Sequence, residues 1–132
     1  MLFVIEQSIY PYKIWVCDED KEYLDKKFEN QDGEFILRGN PTMRTFEGVR
    51  YKGRSNKNAI GALIWINKEI CNSFNRNLMS ALIAHEAIHA TNMMFSYLGV
   101  TYTLEDDEHF AYFVNFVVGC ILEVLYPTKK EQ

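Results

Sequence analysis

The stretch His85-Glu86-Ala87-Ile88-His89 lies inside a segment whose apolar residues recur with a helical period. Two imidazoles four residues apart stand one helical turn apart on the same face, so both can reach one metal ion. The carboxylate of Glu86 is then placed to act on a metal-bound water instead of holding the metal. We therefore expect the rest of the fold to be arranged around a metal-bearing helix.

The ends of this helix have their own signals. Asn72 or Ser73 is a suitable N-cap, and Gly99 is a typical C-terminal stop. One face joins apolar residues to the two histidines: Leu78, Leu82, His85, His89 and Asn92. We expect this face to point inward.

A second long helix follows. The segment Thr103 to Asp106 is a weak variant of the capping box and predicts that this helix begins there. Pro127 predicts that the helix ends at Tyr126. The sequence thus predicts two metal-bearing helices within residues 74–126.

The first half of the chain is predicted to be rich in strands. Alternating or apolar segments indicate strands over residues 2–9, 13–17, 34–38, 42–52 and 60–66. Asp18 is a suitable N-cap for a short helix that runs through Asn30. We predict an α+β fold in a single domain over residues 1–132, with a small, mostly antiparallel sheet in residues 1–67 packed on the two C-terminal helices.

Composition limits the function classes. The chain has 132 residues, 48% of them hydrophobic, and a net charge of −4, which argues against a dedicated nucleic-acid binder. No signal peptide is evident, and the longest apolar stretch, residues 110–122, is shorter than a membrane span. The three cysteines form no C-x-x-C pair. We expect a cytoplasmic protein with reduced thiols and no membrane partner.

A catalytic zinc site needs three protein ligands and one open position. The candidates for the third ligand follow the first helix: Glu105, Asp106, Asp107, Glu108 and His109. Helical phase favours Glu108, with Glu105 one turn earlier as the second choice, whereas His109 points about 100° away. Glu108 shares its face with mostly small or polar residues: Ala111, Tyr112, Asn115, Gly119 and Leu122. We expect this face to approach the histidines closely.

With eighteen residues between His89 and Glu108, the chain resembles the gluzincin type of zincin metallopeptidase. The stretches 85–90 and 107–112 are also similar to small metallopeptidases encoded by bacterial viruses. The resemblance covers residues 75–126 and hardly extends to residues 1–59. It implies zinc held by His85, His89 and Glu108, with Glu86 as the catalytic base.

The resemblance has a clear departure. Tyr112 stands four residues after Glu108, where the thermolysin-like pattern has an aspartate, so that supporting carboxylate is missing. Tyr112, Tyr97 and Tyr102 are candidates for the donor that stabilises the oxyanion. Asn92 and Asn115 share faces with the ligands and are either their hydrogen-bond partners or ordinary solvated residues.

The sequence is compatible with three hypotheses about function. The first is a zinc-dependent peptidase acting on a peptide or protein substrate, with 60–66 either packed within the sheet or serving as an edge strand for the substrate. The second is a catalytically silent zincin-like binding or structural module, such as a virus-encoded accessory protein in the host cytoplasm or the virion. In the third, the motif is accidental and His85 and His89 are core residues.

Overall fold

The computed structural model describes residues 2–5, 11–31, 33–35, 37, 42–52 and 59–128. It contains five strands and four helices in these ranges. The strands are β1 (Leu2–Ile5), β2 (Lys13–Cys17), β3 (Phe28–Asn30), β4 (Met43–Tyr51) and β5 (Ile60–Ile66). The helices are α1 (Lys21–Lys27), α2 (Lys68–Cys71), α3 (Arg76–Leu98) and α4 (Glu108–Leu125). The predicted α+β class is confirmed.

The strands form one mixed sheet in the order β1-β2-β5-β4-β3. Three pairings are antiparallel, but β2 and β5 run parallel, which corrects our expectation of a mostly antiparallel sheet. Parallel neighbours need a long connection, and α1, β3 and β4 all lie between β2 and β5 in the chain. A methyl group at Gly61 would lie 1.9 Å from the carbonyl oxygen of Lys13, so glycine permits the close approach of these two strands.

Two apolar clusters lie on opposite faces of the sheet because side chains alternate along each strand. Ile14, Val16 and Ile64 belong to the cluster that α3 and α4 cover. Trp15 and Leu63 point the other way, into a cluster with residues of α1, β3 and the segment around Phe35. The sheet is therefore a middle layer between the long helices and a smaller apolar layer.

Several predicted boundaries are corrected. The first helix is α1, capped by Asp20 instead of Asp18, and the chain becomes strand β3 where we expected the helix to continue. Within predicted strand 34–38, the described residues 34, 35 and 37 are not in a strand, and residues 36 and 38 lie outside the described part, as do 6–9 of the first strand. Thr103 closes a local turn by accepting a hydrogen bond from the Asp106 backbone N–H, and α4 begins only at Glu108.

The helix α4 is long and apolar enough, by length and composition alone, to cross a membrane. This corrects our prediction that the longest apolar segment is shorter than a membrane span. Val117 and Ile121 are buried in the cluster between the sheet and the long helices. Packing helices of globular proteins meet the same criterion, so the property does not establish a membrane location.

Candidate metal centre

The helix α3 carries the H-E-x-x-H motif in its middle. Its N-cap is Asn75, whose side chain accepts a hydrogen bond from the backbone N–H of Leu78 at 2.9 Å; we had expected Asn72 or Ser73. Residues 68–71 form the separate short helix α2, and the turn that follows delays the start of α3. The predicted stop at Gly99 is confirmed, with φ of 70° in the left-handed region that glycine adopts without strain.

The orientation of α3 differs from our expectation. Its inner face packs against β4 and β5 and is buried: Met79, Ile83, Glu86, Ala87, Ala90 and Met94. Its outer face is exposed to solvent: His85, Ile88, His89 and Asn92. The face that joins Leu78 and Leu82 to the histidines is thus not the inward one. Ala87 and Ala90 let the helix approach the sheet closely, which the bulkier leucine stripe would prevent.

The two histidines of the outer face lie side by side. The Nε2 atoms of His85 and His89 are 3.0 Å apart, and the ring centroids are 4.6 Å apart at an interplanar angle of 79°. Two imidazoles on one tetrahedral zinc, with bonds of about 2.0–2.1 Å, have their nitrogens about 3.3 Å apart. The pair is therefore close to the separation that two ligands of one divalent ion require, and both rings are accessible.

Glu86 lies on the inner face, about 100° around the helix from His85. Glu86 is 8% exposed, and the Thr45 hydroxyl of β4 donates a 2.5 Å hydrogen bond to its carboxylate oxygen Oε2. The strand β4 thus holds this carboxylate between α3 and the sheet. Sequence reasoning missed Thr45: the alternation of residues 42–52 identified a strand, but no local pattern links this residue to one 41 positions later.

The face of α4 that we expected to approach α3 is exposed instead. Glu108, Ala111, Tyr112, Asn115 and Gly119 all lie on the solvent side, while Val117 and Ile121 are buried. Larger apolar side chains bury more area than glycine or alanine, so the face with Phe110, Phe113, Val117 and Ile121 turns inward. The prediction that small residues would bring these two helices together through this face is wrong.

The register of the two long helices determines where Glu108 lies. The ring of Phe95 is 5.6 Å from that of Phe110, and the guanidinium of Arg76 is 5.2 Å from the centroid of Tyr126. The helices are therefore antiparallel, and the start of α4 lies beside the end of α3. Going back from Phe95 to His89 covers six residues, about 9 Å. The part of α4 level with His89 is thus near residues 115–116, about two turns from Glu108.

The structure does not bring the proposed third ligand to the histidines. Among the described residues, which include 85–89 and 105–109, no three His, Cys, Asp or Glu side chains are grouped as a metal site. The ring of His109 lies 6.3 Å from that of Phe95, and Glu105 is an exposed residue in the loop before α4. Two of the predicted ligands are adjacent, and a third is not.

The other candidate residues are spread over the surface. Tyr112 is 70% exposed, and Asn115 is exposed on the same face of α4. Asn92, one turn beyond His89, accepts a 3.1 Å hydrogen bond from the hydroxyl of Tyr102. The ring of Tyr97 lies 5.1 Å from that of Tyr12. Of these residues, only Asn92 shares the face of the histidine pair, and it lies one turn after His89.

Comparisons with protein-family models, with curated proteins and with solved structures gave no match for this chain. Function is therefore inferred from the residues and their geometry.

Proposed function

We propose that this chain is a zinc-dependent metallopeptidase that hydrolyses peptide bonds in a peptide or protein substrate. The observation that carries the proposal is the adjacent Nε2 atoms of His85 and His89, 3.0 Å apart on an accessible helix face. A helix can hold two imidazoles in this relation only at a spacing of three or four residues. Glu86 follows His85 directly in the sequence. This residue supports a catalytic site over a purely structural one, because a structural zinc site has no use for a base.

In this proposal His85 and His89 hold the zinc, and Glu108 is the third ligand that the sequence resemblance implies. Glu108 now lies about two turns from the level of His89, so a three-ligand site requires it to approach the pair when metal binds. Glu105 and His109 are the alternatives. The identity of the third ligand is therefore the first thing that the experiment must test.

The chain's own residues supply the acid–base chemistry. Bound zinc would lower the pKa of a coordinated water to about 7. Glu86 would accept the proton of the attacking water and return it to the leaving amine. To do so its carboxylate must turn from the hydroxyl of Thr45 toward the histidine side of the helix. Tyr112, Tyr97 and Tyr102 remain the candidates for donating a hydrogen bond to the developing oxyanion.

The place for an extended substrate changes with the observed sheet. The strand β5 lies in the middle of the sheet between β2 and β4, so it is not the edge strand that we considered. In the part of the chain that the structure describes, β3 pairs with β4 only from Val49 onward, which leaves Met43–Phe46 with no strand on that side. We propose this half of β4 as the place where a peptide adds, because its Thr45 directly contacts Glu86.

The second candidate function is a catalytically silent zincin-like module, for example a virus-encoded accessory protein. A specific observation favours it: the Glu86 carboxylate is buried and hydrogen-bonded to Thr45 on the face opposite to the solvent. If the Glu86 carboxylate does not reach the histidine side of the helix, the chain can bind metal or a peptide but cannot hydrolyse it.

The experiment combines metal content with hydrolysis. Purified wild type is expected to retain about one zinc per chain, to lose it in Glu108→Ala and to keep it in His109→Ala. Hydrolysis of casein is expected in the wild type and absent in Glu86→Gln, with zinc retained in that variant. The conservative change keeps the shape and hydrogen bonding of the side chain but removes its basicity.

Other outcomes separate the alternatives. Zinc lost with His109 instead of Glu108 would move the third ligand and break the gluzincin analogy. Zinc binding without cleavage of casein and other unstructured substrates would favour the silent module. No zinc in the wild type, even after exposure to excess metal, would reject both and make the motif accidental.

A further inference from the structure

One side of α4 is apolar and exposed. The structure describes all eighteen residues of this helix, and only Val117 and Ile121 among them are buried. Tyr112 is 70% exposed, Phe116 is 40% exposed, and Leu104 in the loop before the helix is 98% exposed. The two aromatic side chains alone expose about 200 Å². Apolar patches larger than a few hundred Å² mark interaction sites in soluble proteins.

The same side of α4 has a hollow near the carboxyl end of the helix. Its volume is about 470 Å³, and its walls include Gly119, Leu122 and Tyr126 of α4 with Arg76 and Ser80 of α3. A methyl group added at Gly119 would have no atom of the described chain within 4 Å, so no contact within the chain requires glycine here. Glycine destabilises the interior of a helix relative to alanine. A contact with another molecule would account for the open space.

The projecting side chains and the hollow are placed so that a twofold axis relates them. Tyr112 lies three residues before Asn115, and Gly119 lies four residues after it. When two copies of α4 cross antiparallel at Asn115, the Tyr112 ring of each copy therefore lies over Gly119 of the other. Leu104 of each copy then lies near the level of Tyr126 of the other. The surface is thus self-complementary, as a twofold interface between identical chains requires.

We propose that the chain forms a twofold homodimer through this side of α4, with the Tyr112 ring of each copy in the hollow beside Gly119 of the other. The hollow of about 470 Å³ is larger than the apolar cavity of about 150 Å³ that holds benzene, so it has room for a phenol ring. Asn115 at the axis meets its own copy. Because an amide both donates and accepts, the two copies can exchange hydrogen bonds there, and such a pair fixes the register of two helices.

The charges of this surface favour a second copy over a membrane, although α4 is long and apolar enough to span one. Helices that lie on a membrane are rich in Lys and Arg on their polar face. The helix α4 contains neither, carries Glu108 and Glu123, and belongs to a chain of net charge −4. In lipid the Asn115 amide would also lose its hydrogen bonds to water, whereas a second copy replaces them.

This proposal does not depend on the metallopeptidase proposal. Ser80 in the wall of the hollow and His85 point about 140° apart around α3, so the histidine pair is directed away from the hollow. His85→Ala, which removes a proposed zinc ligand, is therefore expected to leave association unchanged. The dimer would cover Tyr112, and Tyr97 and Tyr102 would then be the candidates for the oxyanion donor.

The first test is sedimentation equilibrium of the full chain at increasing concentration. We expect the mass to rise from 15.5 kDa to twice that value. The dissociation constant is expected to be about 1–100 μM, because the aromatic patch is smaller than the about 800 Å² per copy of a standard interface. A mass that stays at one chain up to about 1 mM would overturn the proposal. Flotation of a monomeric chain with vesicles of phosphatidylcholine and phosphatidylserine would overturn it in favour of a membrane.

Two variants each remove one half of the contact. Tyr112→Ala removes the projecting ring, and Gly119→Gln fills the hollow; each is expected to weaken association at least about tenfold. Gly119→Gln is also expected to raise the midpoint of urea unfolding of the monomer, which separates lost association from misfolding. The matched control is Ile88→Ala on the outer face of α3, which removes a 42% exposed apolar side chain and is expected to leave association unchanged. Unchanged association in Tyr112→Ala or in Gly119→Gln would overturn the proposed contact.

A disulfide locates the axis. In a Cys120→Ser background, Asn115→Cys is expected to give a covalent dimer on mild oxidation, because a residue at the axis lies beside its own copy. Ser80→Cys in the same background is the control, since Ser80 is exposed but lies away from the axis. Linkage at position 80 without linkage at position 115 would overturn the antiparallel arrangement.

Discussion

The two faces of α3 differ in what they contribute, although they carry neighbouring residues of one motif. The inner face is packed against β4 and β5 and holds Glu86 through Thr45. The outer face holds His85 and His89 side by side in solvent. Five consecutive residues are thus divided between the protein core and its surface. Because a helix turns by about 100° at each residue, adjacent residues do not share an environment unless a cleft reaches both.

Because of this difference, we expect residues of the inner face to determine stability and residues of the outer face to determine the proposed chemistry. Changes on the inner face alter the packing between helix and sheet, where buried residues of α3 and of the strands belong to one apolar cluster. Changes on the outer face are expected to alter the proposed metal binding and to leave the packing intact. The predictions below test how complete that separation is, from the largest expected effect to the smallest.

The largest effect is expected for Ile83→Ala on the inner face. Ile83 is fully buried, so its truncation removes apolar contacts and leaves a cavity, at a cost of about 2–5 kcal/mol in the free energy of unfolding. The matched change on the outer face is Ile88→Ala, where the residue is 42% exposed and the cost is expected to stay below about 1 kcal/mol. Urea unfolding followed by circular dichroism measures both. Equal losses would show that the outer face is covered by something that packs on Ile88.

The next effect concerns the contact between β4 and Glu86. Thr45→Val keeps the shape of the side chain but removes the hydroxyl that donates to the buried carboxylate. We expect a loss of about 1–3 kcal/mol in the free energy of unfolding, since a buried acceptor loses its partner. Thr45→Ser, which keeps the hydroxyl, is the control and is expected to lose less. A Thr45→Val variant as stable as the wild type would mean that Glu86 readily turns toward the histidines, as the peptidase proposal requires.

The sequence predicted those parts of the fold that depend on local signals. The strands over 13–17 and 60–66 have the predicted bounds, and α3 stops at Gly99 because its left-handed conformation suits glycine. These features depend on residues that are close in the chain. The α+β class followed from the order of the same elements.

The sequence did not predict which face of each long helix would turn inward. In α3 the stripes that begin with Leu78 and Met79 both contain apolar residues, and contact with the distant sheet selects the second. In α4 we expected the face with Ala111 and Gly119 to approach α3. Val117 and Ile121 are buried instead, because larger apolar side chains bury more area. The parallel pairing of β2 with β5 and the contact of Thr45 with Glu86 likewise join residues more than forty positions apart.

A smaller effect is expected from alkaline pH at Tyr12, which is buried and lies against Tyr97 of α3. Burial raises the pKa of Tyr12 above its ordinary value of 10.0, the charge of Glu47 raises it further, and the backbone of Gly48 lowers it. The unfolded chain then releases the proton at a lower pH than the folded chain does. The stabilisation is complete below about pH 10 and is lost as the pH rises toward the higher folded pKa.

The matching variant is Tyr12→Phe, which keeps the ring but has no proton to release. Between about pH 9 and pH 11 we expect the free energy of unfolding to fall more steeply in the wild type than in Tyr12→Phe. Parallel urea titrations at each pH measure the difference. Identical slopes would show that the Tyr12 hydroxyl titrates alike in the folded and unfolded chains.

The smallest effect is expected on the outer face, where the Tyr102 hydroxyl donates a 3.1 Å hydrogen bond to Asn92, one turn beyond His89. Tyr102→Phe removes this exposed bond and keeps the stacking of the ring on Phe110, at 4.2 Å between centroids. The free energy of unfolding is expected to change by less than about 0.5 kcal/mol. Tyr102→Ala also removes the stacking and is expected to cost about 0.5–1.5 kcal/mol. Equal losses in the two variants would mean that the hydrogen bond to Asn92, and not the aromatic contact, anchors the loop between the long helices, and that the outer face contributes to stability after all.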